Sequence, residues 1–513
     1  MSTLYHQVQG LYTAGDVMTA VECVRALPEY RHVFFVNHGD GFDTRVHGIL
    51  TDLGAEIRRS VIVTEADVMP DLRAVFYHCV GHDDSRRGEY VRFSQEPPGV
   101  ILCAWIHTPG LCGGWSERYK FLGGRGTSTL ICDSAFGLHN TPGLDLASFT
   151  TRAIINPVVD ADHFAGITRV PDGVFRIGRW SRGDDAKYSD DFLELLAGIN
   201  VPGVEFACMG VPPKFRGMSL PPNVRFYENG EISVEELLAQ LDVLLFKTHA
   251  PAWHEGWCRT VTEAMAAGVV PVVENRGGIP DQVLHGYNGF LCDTNAEFTR
   301  YCELLYHDPA LRARMSDSAA AFVRDNINLT NLRTDLLRVL EPRGPRRLNL
   351  GCGLDVRPGF INADTMPLPG VDAVLSVDPW QPRLPFVDEE FDEIIAFHVL
   401  EHVANKNMIV EELWRIARHN AVIRIKVPDR RHSDAFIDPT HLSFWEVDTI
   451  DFYFPGHLRS YYSPAKFGLL GKYTTEREIG WELLALRRGP RFETGSNGSA
   501  GDPPDERLDG ISS

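Results

Sequence analysis

Two glutamates, Glu255 and Glu263, stand with seven residues between them in the segment H-E-G-W-C-R-T-V-T-E-A-M-A-A-G. Gly256, Trp257 and Cys258 fall at the expected start of a helix over Thr260–Ala267, and Gly268 falls at its C-cap. The first turn of a helix leaves N–H groups unpaired and carries a partial positive charge, which suits a diphosphate. Carboxylates two turns apart on either side can accept from hydroxyls in charge-assisted bonds, one from a sugar and the other from a ribose. A second constellation opens R-R-L-N-L-G-C-G, where Gly351 and Gly353 end a strand and let the backbone approach a ligand closely. Asp364 closes the next strand and is placed to accept both ribose hydroxyls of a nucleoside. The interval from Gly353 to Ile361 is too short for a crossover helix, so a full G-x-G-x-x-G dinucleotide site is not expected.

The elements that must hold these residues are short apolar strands alternating with helix-patterned segments. That pattern predicts doubly wound α/β domains with parallel sheets. The first series of strand candidates is Leu4–Val8, His32–Asn37, Ser60–Thr64, Ala74–Val80, Val100–Ile106 and Leu130–Asp133. Most are near-continuous apolar runs, as expected for strands buried on both faces. A second series runs from Val174–Ile177 through Val204–Met209, Val224–Tyr227 and Val243–Phe246 to Val269–Val273, and helices are expected over Ala296–Leu340. A third opens at Leu348–Leu350. The expected division is therefore 1–165, 166–340, a linker at 341–346, 347–489, and a Gly/Ser/Pro/Asp-rich tail over 490–513 that is expected to be disordered.

The chain has 513 residues, 44% of them hydrophobic, with a net charge of −19. An acidic balance argues against nucleic acid as the main partner, because a duplex binder needs a basic face. The first basic residue is Arg25, so the charged start of a signal peptide is missing, and no apolar run is long enough to span a bilayer. The ten cysteines include no C-x-x-C pair and several sit in apolar runs, which fits reduced thiols in a cytoplasmic protein.

The segment E-G-W-C, four residues, E-A-M-A-A-G, followed by the P-V-V strand, resembles GT-B retaining glycosyltransferases of group 1, a family-four-like group that includes sucrose and glycogen synthase-like enzymes and mannosyltransferases. Trp257 and Cys258 depart from the family's Phe and Gly. The resemblance implies two Rossmann-like domains, with Glu255 touching the donor sugar and Glu263 the ribose. It implies further that Arg179 and Lys187, in I-G-R-W-S-R-G-D-D-A-K, neutralise the diphosphate leaving group with help from the amides of Gly256, Trp257 and Cys258. N-P-V-V-D-A-D-H-F resembles the interdomain linker, which outweighs reading Asp160 and Asp162 as a metal-binding D-x-D; no metal is expected. Gly10 and Gly15 fit a loop near the donor phosphates, and His107, ending a strand, sits where the family often has a donor-sugar contact. The donor would be a UDP- or GDP-sugar.

From Leu384, L-P-F-V-D-E-E-F-D-E-I-I-A-F-H-V-L-E-H resembles class I S-adenosylmethionine methyltransferases of the type 11-like group. The resemblance implies a Rossmann-like domain in which Asp378 meets the adenine amine and His398 lies beside the methionine end. Methyl transfer to a hydroxyl needs positioning and a base, for which His402 and His441 are candidates. The joint expectation is a bifunctional enzyme that adds a sugar and O-methylates the glycan, its acceptor being a glycan, a lipid-linked species or a protein, with peripheral membrane association allowed. The alternatives are that one module only binds or scaffolds, or that methylation serves an unrelated protein or metabolite.

Overall fold

The computed structural model describes residues 2–8, 11, 15–36, 43–59, 68–78, 99–107, 128–134, 136–137, 149, 151–170, 172–249, 254–340, 346–375, 378–380, 382–453 and 467–485. Gly10, the strand expected at Ser60–Thr64, most of the linker at 341–346 and the tail over 490–513 lie outside them.

Three sheets carry the chain. The first contains β1 (Thr3–Val8), β2 (Arg31–Val36), β3 (Glu56–Arg59), β4 (Leu72–His78), β5 (Ile101–Ile106), β6 (Ser128–Cys132) and β7 (Thr151–Ile154). Their spatial order is β3-β2-β1-β4-β5-β6-β7, and every pairing is parallel. β1, β5 and β6 are buried along their whole length, as expected of strands covered on both faces, with β5 apolar throughout and β1 also burying Thr3, His6 and Gln7.

The second contains β8 (Arg176–Trp180), β9 (Glu205–Met209), β10 (Val224–Tyr227), β11 (Val243–Phe246), β12 (Val270–Glu274) and β13 (Phe290–Cys292), in the order β10-β9-β8-β11-β12-β13. Helices Asn295–His307, Pro309–Asn326 and Leu329–Leu340 follow it, where a 3.6-residue apolar period was read. The third contains β14 (Arg347–Leu350), β15 (Ile361–Asp364), β16 (Ala373–Val374), β17 (Phe391–Phe397), β18 (Ala417–Pro428), β19 (Phe467–Thr474) and β20 (Glu478–Ala485). Its order is β16-β15-β14-β17-β18-β20-β19, with β20 antiparallel to both neighbours.

In each sheet the strand order reverses beside the first strand, between β1 and β4, β8 and β11, and β14 and β17. Ligands of open α/β sheets bind at the carboxyl ends of strands at that switch point. The residues singled out above cluster there: Arg179 and Trp180 end β8, Gly351 follows β14, Asp364 ends β15 and His398 follows β17. Among the described residues, no helix is long and apolar enough to cross a membrane, and the described cysteines that are free thiols are buried.

Candidate active sites

The first site is built around the end of β8. Helix Arg259–Ala266 starts after Cys258, which gives no side-chain cap bond. The Lys187 ammonium sits 2.6 Å from Glu255 Oε1, and both side chains are largely buried. Glu263, one turn into the helix, accepts from Trp180 Nε1 at 3.3 Å and lies 3.7 Å from Arg259. Burial raises its pKa, against the pull of Arg259. The loop carrying Glu255 is pinned from behind: Gly278 N donates to Glu255 O at 2.8 Å. A Cβ on Gly278 would stand 1.9 Å from Gly256 O, and one on Gly277 2.5 Å from Glu255 O, so this approach requires glycine at both positions. Phe136 meets His254 edge-tilted at 5.5 Å and Ser134 Oγ abuts Gly278, so residues after β6 close the cleft from the first sheet.

Arg179 takes a different part from the one its motif implies. It is 0% exposed, and its guanidinium donates to Lys247 O and Lys187 O at 2.7 Å each. It lies against the rings of Tyr188 and Phe246 at 4.0 and 4.3 Å. Those commitments point it away from a diphosphate; it fixes the backbone of Lys187 instead. Cys258 also departs from expectation. Its thiol is buried in the core with its pKa pushed up by burial, and with the Gln282 amide turned to satisfy both groups, Oε1 accepts from Cys258 N at 2.8 Å and Nε2 donates to Cys258 O at 2.9 Å. The Cys258 amide is thus taken, leaving Gly256 and Trp257 for an anion. The Trp257 indole N–H is buried without a partner.

His107 is the third departure. It is 7% exposed, with Nε2 3.2 Å from His78 Nδ1 and Nδ1 2.9 Å from Asp133 Oδ2, so neither nitrogen is left for a donor sugar. It ends a chain of four stacked histidines running across the first sheet. His78 Nε2 meets His6 Nδ1 at 3.2 Å, His6 Nε2 meets His32 Nδ1 at 3.0 Å, and His32 Nε2 meets Leu27 O at 2.9 Å. A carbonyl and a carboxylate at the two ends are both acceptors. Five hydrogen bonds then need five N–H groups, and four neutral imidazoles supply four. The line therefore needs one proton more than four neutral imidazoles and a carboxylate carry. Burial holds His6, His32 and His78 below the ordinary imidazole value. Gly15 begins helix Gly15–Ala26 beside this sheet.

The second site lies on the third sheet. Gly351 has φ +64, and a Cβ there would stand 2.3 Å from Val399 Cγ2. Gly353 N donates to Asp364 Oδ2 at 2.7 Å and Met366 N to Oδ1 at 2.9 Å, so Asp364 shapes the glycine turn and still has lone pairs facing outward. At Gly353 a Cβ would meet nothing within 4 Å, which leaves room above the strand ends for a ligand. Asp378 is exposed and accepts from Trp380 N at 2.8 Å. His398 has φ 57, a strained value for a non-glycine residue. Glu401 at 3.4 Å and Glu478 at 3.1 Å raise its pKa. His402 and His441 stack edge-to-face at 4.9 Å.

Residues 216–322 match the family described as Glycosyl transferases group 1, and residues 346–425 match the family described as Methyltransferase domain. The chain thus carries a glycosyltransferase group 1 region followed by a methyltransferase domain. Over the glycosyltransferase part, the fold is similar to Anabaena Alr3699/HepE in complex with UDP and glucose (15% identity, TM-score 0.51, 66% of this chain and 99% of that one). It is also similar to a glycosyltransferase from Rickettsia africae ESF-5 (13%, 0.50, 66% and 97%). A variant of S. aureus TarM in complex with Fondaparinux, alpha-GlcNAc-glycerol and UDP gives 10%, 0.51, 66% and 100%. Comparison with curated proteins gives no match. These likenesses establish GT-B architecture, and the methyltransferase sheet completes a third Rossmann-like unit.

Two groups at the glycosyltransferase site escaped the sequence reading. Gln282, which latches the start of the helix, lies well downstream of it; Asp133 ends an ordinary apolar strand. Neither sits in a pattern whose spacing announces a partner.

Proposed function

We propose that the glycosyltransferase moves a sugar from a nucleoside diphosphate sugar to an acceptor hydroxyl with retention, and that the methyltransferase O-methylates the resulting glycan. The observation that carries the first half is the Lys187–Glu255 pair before helix Arg259–Ala266, whose N-cap makes no side-chain bond, with Glu263 on that helix held by Trp180 from the end of β8. Negative charge grows on the departing diphosphate, and groups fixed in advance to receive it contribute most to such catalysis. Lys187, held by Arg179, and the amides of Gly256 and Trp257 would receive it. Glu255 would orient the sugar and Glu263 the ribose hydroxyls. The UDP and glucose bound to Anabaena Alr3699/HepE make UDP-sugars the first donors to try, with GDP-sugars beside them.

The residues of the third sheet fit S-adenosylmethionine, with Gly351 and Gly353 beneath it and Asp364 and Asp378 toward the nucleoside. The cofactor supplies an electrophilic methyl group. The chain would orient the acceptor oxygen, with His402 and His441 facing it either as a base or, as argued below, as ligands of an ion that lowers the hydroxyl's pKa.

Mass spectrometry of products from a panel of nucleotide sugars and acceptors, with S-adenosylmethionine present, tests both halves. Glu255→Ala and Glu263→Ala should abolish sugar transfer and spare methylation of a pre-made glycan, and Asp364→Ala should do the reverse. An inverted anomer by NMR would refute retention. Label from the methyl group appearing only on a sugar-free product would refute the coupled order.

A further inference from the structure

Among the described residues, Glu401 is the least explained buried carboxylate. It is 2% exposed, and neither carboxylate oxygen has a hydrogen-bond partner. His398 Nδ1 approaches Oε1 to 3.4 Å, outside hydrogen-bond geometry. A buried carboxylate whose oxygens accept no hydrogen bond is costly, and such groups are normally hydrogen-bonded or bound to a metal.

Its surroundings supply the rest of a site. One donor atom each from Glu401, His402 and His441 lies within 4.8 Å of the others. Both imidazoles are oriented from behind. His441 Nδ1 lies 3.0 Å from Ala435 O, which fixes Nδ1–H as the donor and leaves Nε2 with its lone pair. Thr440 Oγ1 gives its proton to Asp438 Oδ1 at 2.6 Å, so it accepts from His402 Nδ1 at 3.0 Å, and Nε2 is again the free lone pair. Metal-bound histidines are held in this way, the second nitrogen donating to a carbonyl or other acceptor. The loops themselves are clamped together. Leu442 N and Ser443 N both donate to Glu401 O, at 2.8 and 3.0 Å, and Ser443 Oγ donates to Leu400 O at 3.1 Å. Asp438 Oδ2, 3.9 Å from His441 Nε2, stands at the rim.

We propose that Glu401, His402 and His441 bind a divalent transition-metal ion of the Zn2+ class. Two imidazoles and one carboxylate are a borderline donor set that suits such ions, whereas Mg2+ prefers oxygen alone. Three protein ligands would leave a coordination position open. That position fits a hydroxyl of the acceptor, although the site itself does not depend on the O-methylation reading. No spacing motif announces this site, because Glu401 and His402 are adjacent in a turn and His441 joins them only through the fold.

The test uses the full chain, stripped with a chelator and titrated calorimetrically with Zn2+, Mn2+ and Mg2+, with bound metal counted by mass spectrometry. One tightly held Zn2+ per chain is expected, with Mg2+ much weaker. His441→Ala, His402→Ala and Glu401→Gln should each weaken Zn2+ by about tenfold or more, near-UV circular dichroism showing that the variants are folded. Co2+ loading should give the visible absorption of an imidazole-bound ion, and His441→Ala should change it. Absence of stoichiometric binding by all three ions, or Zn2+ binding that the three folded variants leave intact, overturns the proposal. Zn2+ bound as expected by a chain that methylates no hydroxyl supports the site and refutes the O-methylation reading instead.

Discussion

Asp133 sets how many protons the buried histidine chain of the first sheet holds. As a carboxylate it can only accept, so His107 must donate to it and the fifth proton is required. An asparagine there could keep its oxygen on Trp105 Nε1, which now donates to Asp133 Oδ1 at 2.7 Å, and turn its NH2 toward His107. Every ring would then be neutral, with one donor and one acceptor each. Asp133→Asn is therefore expected to relieve the line of its surplus proton, changing the histidine signals in the nitrogen-15 NMR spectrum without unfolding the sheet; an unchanged set of signals would refute the proton count. Arg179 poses the opposite case, a cation whose loss cannot be repaired. Removing it takes the guanidinium donor from two carbonyls, at about 1–3 kcal/mol each. Arg179→Ala should lose several kcal/mol of stability in chemical denaturation, and Arg179→Lys should restore little, since a single ammonium cannot serve both carbonyls and lie flat between two rings. Loss of sugar transfer in these variants would come through a displaced Lys187.

At the scale of elements, the start of helix Arg259–Ala266 depends on how closely the Gly277–Gly278 loop can approach it. Gly278→Ala would drive a Cβ into Gly256 O, and because backbone cannot yield as a flexible side chain does, the loop must move. The expected result is a loss of about 1–3 kcal/mol and a raised KM for the nucleotide sugar, with methylation unaffected; wild-type sugar-transfer kinetics would show that the approach is not needed. The glutamates of this element were legible because helix periodicity fixes what a seven-residue gap does. The strand series was legible because buried parallel strands are apolar runs. Short edge strands were not: Glu56–Arg59, with sequence E-I-R-R, and Thr151–Ile154 carry too little apolar character, and Phe290–Cys292 is only three residues. The histidine chain and the Glu401 cluster were hidden for a different reason. Their members come from separate strands and loops, and only the sheet order makes them neighbours. Helix Leu329–Leu340 carries another such group. Burial, helped by Asp392 and Glu389, outweighs Arg338 and lifts the Asp335 carboxyl to about 7. A raised carboxyl binds its proton more tightly in the fold than in the unfolded chain. Its contribution is fully present below the ordinary Asp value near 4 and fades as pH rises through about 7. Asp335→Asn should flatten the fall in melting temperature between those limits, and an unaltered pH profile would count against the assignment.

Across the whole molecule, the two transferases share an interface rather than a tether alone. Val422 and Leu484 of the third sheet belong to the same buried cluster as Ile154 and Ile155 of the first. Asn420 Nδ2 donates to Asn156 Oδ1 at 3.0 Å, and Asn156 Nδ2 donates to Asp133 O at 2.8 Å. One side chain thus connects the methyltransferase to the end of the histidine chain. Arg73 Nε reaches Leu340 O at 3.0 Å, tying β4 to the helix that precedes the methyltransferase. Asn420 sits at φ 60, a conformation asparagine tolerates and most residues do not. This separates two contributions at one position. Asn420→Gly keeps the backbone comfortable and deletes the link, while Asn420→Ala deletes the link and adds strain, so alanine should cost about 1–2 kcal/mol more than glycine. If the interface transmits stability, S-adenosylmethionine should raise the unfolding temperature of the glycosyltransferase in calorimetry of the wild-type chain, because a ligand stabilises everything that unfolds with its site. Asn420→Gly should shrink that effect while leaving the methyltransferase's own response to its cofactor in place. A glycosyltransferase transition indifferent to S-adenosylmethionine in the wild type would mean that the two enzymes unfold independently, and that Asn156 and Asn420 align them without coupling them.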